Sequence, residues 1–280
     1  MSTTTAPGPC APSDPMPLAG LGVVFLHGVR TSGTMWRDQV DLLRRQGAEV
    51  TAVDLPGHGT ALAERFSLDA CDQRIQEAVE ALRVRCPRVA VVGLSLGGYL
   101  ALHWAARTCC PPEILVVSSC TARTGGVLHR GFLALTRVLG DSGGRRLSAR
   151  AARLAVGEQA AHDISAGGVS VGGQLAALRA LLPLDPLGDL ERVLMRGMDT
   201  TFLIGEFDHF RLHEREFRAV AAGRARWVLI RRAHHLVSLH RPRAYNRALL
   251  GELMRTQAES VTAAGTTRAP RRRSPRSSAR

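Results

Sequence analysis

Apolar residues along this chain follow two alternating patterns. Short, nearly unbroken apolar runs occur at Leu21–Leu26, Val50–Asp54, Val89–Leu94, Ile114–Ser118, Thr201–Ile204 and Trp227–Ile230. Most are followed by stretches in which apolar positions recur every three or four residues. A short run that is apolar throughout reads as a strand buried on both faces, whereas the longer period is that of a helix with one face on a core. The spacing predicts helices over Trp36–Gln46, Asp69–Arg85, Leu96–Arg107, Leu212–Ala222 and Pro242–Arg255. Pro242 suits a first helical turn, where its missing N–H costs nothing. Strands alternating with helices define an α/β protein with a mostly parallel central sheet and helices on both faces.

The alternation stops between Thr121 and Asp199, where Arg-rich helical stretches are broken by Gly140–Gly144 and Gly167–Gly173. A segment of that length without a core strand reads as an inserted helical cap. The expected organisation is therefore a core over 21–120 and 200–255 and a cap over 121–199. Residues 1–20, rich in Thr, Pro and Ala, are expected to be a disordered leader, and 256–280 a disordered Arg-rich tail.

Composition narrows the class further. A chain of 280 residues, 45% hydrophobic, can bury the core of one α/β domain with an insertion. No apolar run approaches the roughly 18 residues of a membrane helix, and the leader lacks the charged and apolar regions of an export signal. A cytoplasmic location is expected, with reduced thiols. The six cysteines show no C-x-x-C spacing, and adjacent Cys109 and Cys110 before Pro111-Pro112 do not have the spacing of a zinc site; no metal is expected. All 37 basic residues are arginine, which rules out lysine Schiff-base and P-loop chemistry. Of the net charge of +13, six arginines lie in residues 260–280 without an acid among them. Such a tail could touch phosphates, but no interleaved aromatics accompany it, so a nucleic-acid partner is not expected.

The candidate chemistry centres on Gly93-Leu94-Ser95-Leu96-Gly97-Gly98. The run Val89–Val92 leads into it and a helical pattern leaves it, so Ser95 stands at the apex of a strand–turn–helix. A G-x-S-x-G in that setting is a nucleophile elbow. The plain alternative is a glycine-rich turn that happens to contain serine.

Four segments in order decide between the two. His27-Gly28 with Trp36, then Asp54-Leu55-Pro56-Gly57-His58-Gly59, then the elbow, and then Gly205-Glu206-Phe207-Asp208 with His235 before Pro242 resemble the motifs of the α/β-hydrolase superfamily over residues 20–255. The resemblance implies Ser95 as nucleophile, His235 as general base and Asp208 as the orienting acid, with Glu206 the second choice for the acid. His234 departs from the pattern by standing where the family usually has glycine; its adjacency leaves the choice of base between two histidines, with the spacing to Pro242 favouring His235. The resemblance also implies backbone N–H donors from Val29 and Leu96 as an oxyanion hole, and Trp36, Tyr99 and Phe210 near the substrate. His27, His58 and Asp54 are expected to hold loops. His209, His213, Glu214 and Glu216 could be read as metal ligands but are expected to form a solvated helical face.

The function implied is that of a cofactor-free serine hydrolase acting on an ester, lactone or thioester of a small intracellular metabolite. Carbon–carbon bond hydrolysis or perhydrolysis on the same residues, and a catalytically silent ligand-binding protein, are the alternatives. Oligomeric state is not specified by the sequence.

Overall fold

The six apolar runs form one open, all-parallel sheet in the order β2-β1-β3-β4-β5-β6. The strands are β1 (Leu21–Leu26), β2 (Glu49–Val53), β3 (Arg88–Leu94), β4 (Ile114–Ser118), β5 (Asp199–Gly205) and β6 (Ala225–Ile230). The computed structural model describes residues 16–127, 129–137, 153, 156–168 and 170–266. Most of the expected leader, Cys10, the Gly140–Gly144 stretch and the tail beyond Thr266 therefore lie outside the described residues.

Side chains on alternate strand positions feed two separate cores, as a two-residue period requires. On one face Val24, Leu26, Val89 and Val91 pack under α2 (Leu68–Arg83) and α3 (Leu96–Ala105). On the other, Val23, Phe25, Ala90 and Val92 meet Leu43 of α1 (Arg37–Arg45) and Tyr245, Leu249 and Leu253 of the last helix. Both faces are covered, which is why the strands read as continuous apolar runs rather than as alternations.

Between β4 and β5 the chain is helical at 129–137 and in α4 (Glu158–Ala166), α5 (Val171–Ala180) and α6 (Pro186–Met195). Two parallel neighbours need a crossover helix, and α6 supplies it: Leu190 and Val193 are fully buried in the core cluster that includes Leu100 of α3. The last helix of the segment expected as a cap thus packs in the main helical layer. Of the described parts, α4 and α5 lean on the segments after β1 and β2. Asp163 of α4 pairs with Arg37 at 2.6 Å, and a methyl on Gly173 of α5 would collide with the Gly57 carbonyl.

The chain ends in α7 (Glu214–Ala221), the short α8 (Val237–His240) and α9 (Pro242–Thr266). The expected tail boundary at Arg255 falls inside α9. Thr256 is 6% exposed, and its hydroxyl donates to Asp199 at 3.0 Å. Composition marked where apolar residues thin out, but a helix already docked through Leu249 and Leu253 continues past that point. No described helix is long and apolar enough to cross a membrane.

Candidate active site

Sheet order reverses direction at β1, with β2 on one side and β3 on the other, and the carboxyl ends of strands flanking such a reversal form a crevice. Ser95 stands there, at the end of β3. Its backbone has φ 54° and ψ −113°, outside the regions an L-residue favours. The turn is held because a methyl on Gly93 would collide with the Gly97 carbonyl, and one on Gly97 with the Leu26 carbonyl. These two glycines let the strand, the turn and the β1 backbone lie in contact. Ser95 N donates to Ser118 O at 2.8 Å and Gly97 N to His27 O at 3.0 Å, so both neighbouring strands fix the elbow.

The loops after β5 and β6 bring two more groups to Ser95. His235 Nε2 lies 3.0 Å from Ser95 Oγ, and His235 Nδ1 lies 2.9 Å from Asp208 Oδ1. An ionised carboxylate can only accept, so Nδ1 carries the proton and Nε2 is left to accept from the serine hydroxyl. The Asp208 side chain is fully buried. Burial alone would raise its pKa, but the hydrogen bond and charge of His235 and the Phe210 N–H hold the carboxyl below the usual range. Phe210 N donates to Oδ1 at 2.9 Å.

The Phe210 and His209 rings lie 4.5 Å and 5.0 Å from the His235 ring. Ser119, at φ 56°, donates from Oγ to the His235 carbonyl at 2.7 Å. The contacts of His209 and Ser119 with His235 are not legible in the sequence, since they arise only where separate loops meet in the fold.

The rival residues lie elsewhere. His234 donates its main-chain N–H to His240 Nδ1, and Glu206 accepts from Arg232 N at 2.7 Å. Leu96 N opens α3 and belongs to the first turn, whose N–H groups have no intrahelical partner. Val29 follows Gly28, where a methyl would lie 3.6 Å from Ser95 Cβ.

Of the expected pocket residues, Phe210 is brought onto the Ser95–His235 pair by its ring contact with His235. Tyr99 is buried with its hydroxyl donating to Ala122 O at 2.8 Å. Trp36 is fully buried in the opposite core layer, stacked on Phe25 at 4.7 Å, with no surface to offer a ligand.

His27 accepts from Leu55 N at 3.0 Å, and its Nδ1 is paired with Gly28 O. Its pKa is pushed down to about 3, chiefly by complete burial and then by the neighbouring His58. His58 is likewise lowered by burial, with Nδ1 on Pro56 O. Asp54 accepts from Gly33 N, Thr60 N and Thr60 Oγ1, tying the loops after β1 and β2 together.

The expected solvated face on α7 is corrected in part: Glu214 is 8% exposed and gripped by Arg211 and Arg218, and His213 Nδ1 accepts from Arg123 N. The Glu214 pairs are local to the start of α7, and the Arg123–His213 bond ties that start to the chain leaving β4, an arrangement the helical period alone does not report.

Known proteins share this geometry's framework. The pimeloyl-[acyl-carrier protein] methyl ester esterase of Chromobacterium violaceum is 41% identical over 90 residues, 31% of this chain and 32% of that protein. The monoacylglycerol lipase of Bos taurus is 33% identical over 87 residues, 30% of this chain and 26% of that protein. The alignments thus span about a third or less of these curated relatives.

Among solved structures, one from a study of carboxylesterases of the thaumarchaeon Nitrososphaera gargenis superposes with a TM-score of 0.74 at 16% identity, covering 86% of this chain and 92% of that one. The enol-lactonase of Burkholderia xenovorans gives 0.68 at 20% identity, covering 84% and 91%. At such identities the likeness is one of fold. The sequence profile of the alpha/beta hydrolase family matches residues 23–248, and with the parallel sheet and the elbow in place the chain belongs to that family.

Proposed function

We propose that this protein is a serine hydrolase that cleaves an ester, lactone or thioester of a small metabolite through an acyl-enzyme. The observation that carries the reading is the unbroken hydrogen-bonded chain from Ser95 Oγ through His235 to the buried Asp208 carboxylate. A neutral serine hydroxyl is a weak nucleophile, and an imidazole accepting its proton makes it a strong one. In the proposed mechanism His235 Nε2 takes that proton as Oγ bonds to the carbonyl carbon, and Asp208 stabilises the imidazolium. The carbonyl oxygen gains charge against the main-chain N–H groups of Leu96 and Val29. His235 then returns the proton to the leaving group, and water, deprotonated by the same ring, releases the acid.

Esterase, lipase and lactonase names among the similar proteins support this reaction class. A fluorophosphonate probe tests it: one label on wild type, none on Ser95→Ala, together with turnover of p-nitrophenyl esters or acyl thioesters. An unlabelled wild type that hydrolyses neither would sink the reading.

A further inference from the structure

Arg30 is the one half-buried arginine among the described residues whose side chain meets no partner in the protein. The others are each satisfied: Arg74 by Glu64 at 2.7 Å, Arg83 by Glu113 at 3.1 Å, Arg211 by Glu214 at 2.6 Å, Arg255 by Asp199 at 2.9 Å, and Arg88 by Thr256 O at 2.9 Å. Burial of a guanidinium is unfavourable unless an anion or acceptor meets it. At Arg88 burial lowers the pKa while Glu113 and Asp199 push it back; at Arg30 burial acts alone.

The backbone gives a second, independent observation. Gly28 O accepts from both Thr31 N and Thr31 Oγ1, closing a turn whose central residues are Val29 and Arg30. Arg30 has φ 67°. That is the turn position glycine or asparagine takes without strain, and strain of this kind concentrates where a side chain serves a ligand. The turn lies between two landmarks. A methyl on Gly28 would sit 3.6 Å from Ser95 Cβ, and two residues beyond Arg30 the Ser32 hydroxyl abuts Gly167 of the inserted segment. Arg30 therefore lies on the loop between the approach of Gly28 to Ser95 and the contact of Ser32 with the inserted segment.

We propose that Arg30 binds a carboxylate carried by the substrate, so that the preferred substrates are acidic esters with a carboxylate a short chain away from the scissile carbonyl. The proposal rests on the hydrolase reading for the location of the scissile bond. The guanidinium fork matches a carboxylate in two parallel hydrogen bonds. One positive charge balances one carboxylate, whereas a phosphate dianion would leave a charge unmet.

Two substrate pairs test this: p-nitrophenyl hydrogen glutarate against p-nitrophenyl valerate, with acid on the acyl side, and 3-carboxyphenyl against phenyl acetate, with acid on the alcohol side. Wild type favours the acidic member of one pair. Arg30→Gln then lowers kcat/KM on that member roughly 10- to 100-fold more than on its neutral partner, the worth of a hydrogen bond to a charged group, and Arg30→Lys recovers part of it. Equal losses on acidic and neutral members of both pairs, or no preference in wild type, overturn the proposal.

Should no ester be turned over, calorimetry with monomethyl glutarate on the full-length protein separates the two readings. Binding lost in Arg30→Gln keeps the carboxylate site while the hydrolase reading falls, and absence of binding removes the site. Tighter binding of methyl phosphate than of monomethyl glutarate also overturns the carboxylate assignment.

Discussion

Ser119 Oγ donates to the main-chain oxygen of His235 across 2.7 Å, from a residue whose own φ is 56°. The end of β4 thereby fixes the loop that presents the imidazole to Ser95. We expect Ser119→Ala to lose the bond and keep the strain, lowering stability by about 1 kcal/mol and Tm by about 2–4 °C. Ser119→Gly relieves the strain as it loses the bond, so its Tm should stay near wild type. Both should lower kcat by about tenfold, since small misplacements of a reacting group are costly. A Ser119→Gly variant with wild-type kcat in a saturating ester assay would show that the bond does not position the base.

Adjacent histidines with unequal surroundings give a second test. His235 joins Ser95 to Asp208, while the His234 ring lies 4.6 Å from His240 and 5.8 Å from Phe207. His235→Ala should lower kcat by roughly 10⁴-fold, the scale seen when a member of such a triad is removed. His234→Ala should stay within about tenfold of wild type on the same substrate. The reverse ranking in a steady-state assay would reassign the base.

How much of this was legible beforehand follows from how local each signal is. The span of β1 and the strand–turn–helix setting of Ser95 are legible in the sequence, because burial on two faces and a steric need for glycine are written into short stretches. Asp208 and His235 were placed by family motifs. What stayed hidden depends on distant segments meeting. Ser119 touches His235 across 116 residues of chain, Trp36 turned out to face the opposite core layer, and α6 proved to be a crossover helix that its apolar pattern could not distinguish from a cap helix. Arg30 is one arginine among many until the missing partner is seen.

The end of α9 is a further point on which composition and packing disagree. Arg88 Nη1 donates to Thr256 O at 2.9 Å, and Thr256 Oγ1 lies 3.0 Å from Asp199. A chain ended after Arg255 loses both bonds and places a new carboxylate beside Asp199, a like charge. A chain ended after Thr256 keeps the bonds. We expect the shorter form to be less stable by about 1–2 kcal/mol and to melt about 2–8 °C lower. Equal melting temperatures for the two forms would return the tail boundary to Arg255.

His27 sets an acid limit on the fold. Its folded pKa is pushed down to about 3 by full burial, so it stays neutral in the fold, while an unfolded chain protonates it below about 6.5. Between those values the unfolded state binds more protons, and stability therefore rises with pH. His58, lowered in the same direction, adds to the slope. Stability from this source is fully present above about pH 6.5 and declines as pH falls toward about 3, by several kcal/mol in all, on the order of 1.4 per pH unit. Urea titrations at pH 7, 6, 5 and 4 should show that decline. In His27→Gln, where an amide donates to Gly28 O and accepts from Leu55 N without titrating, the baseline is lower but the slope should be visibly flatter. An unchanged slope in the variant would mean that other groups set the acid limit.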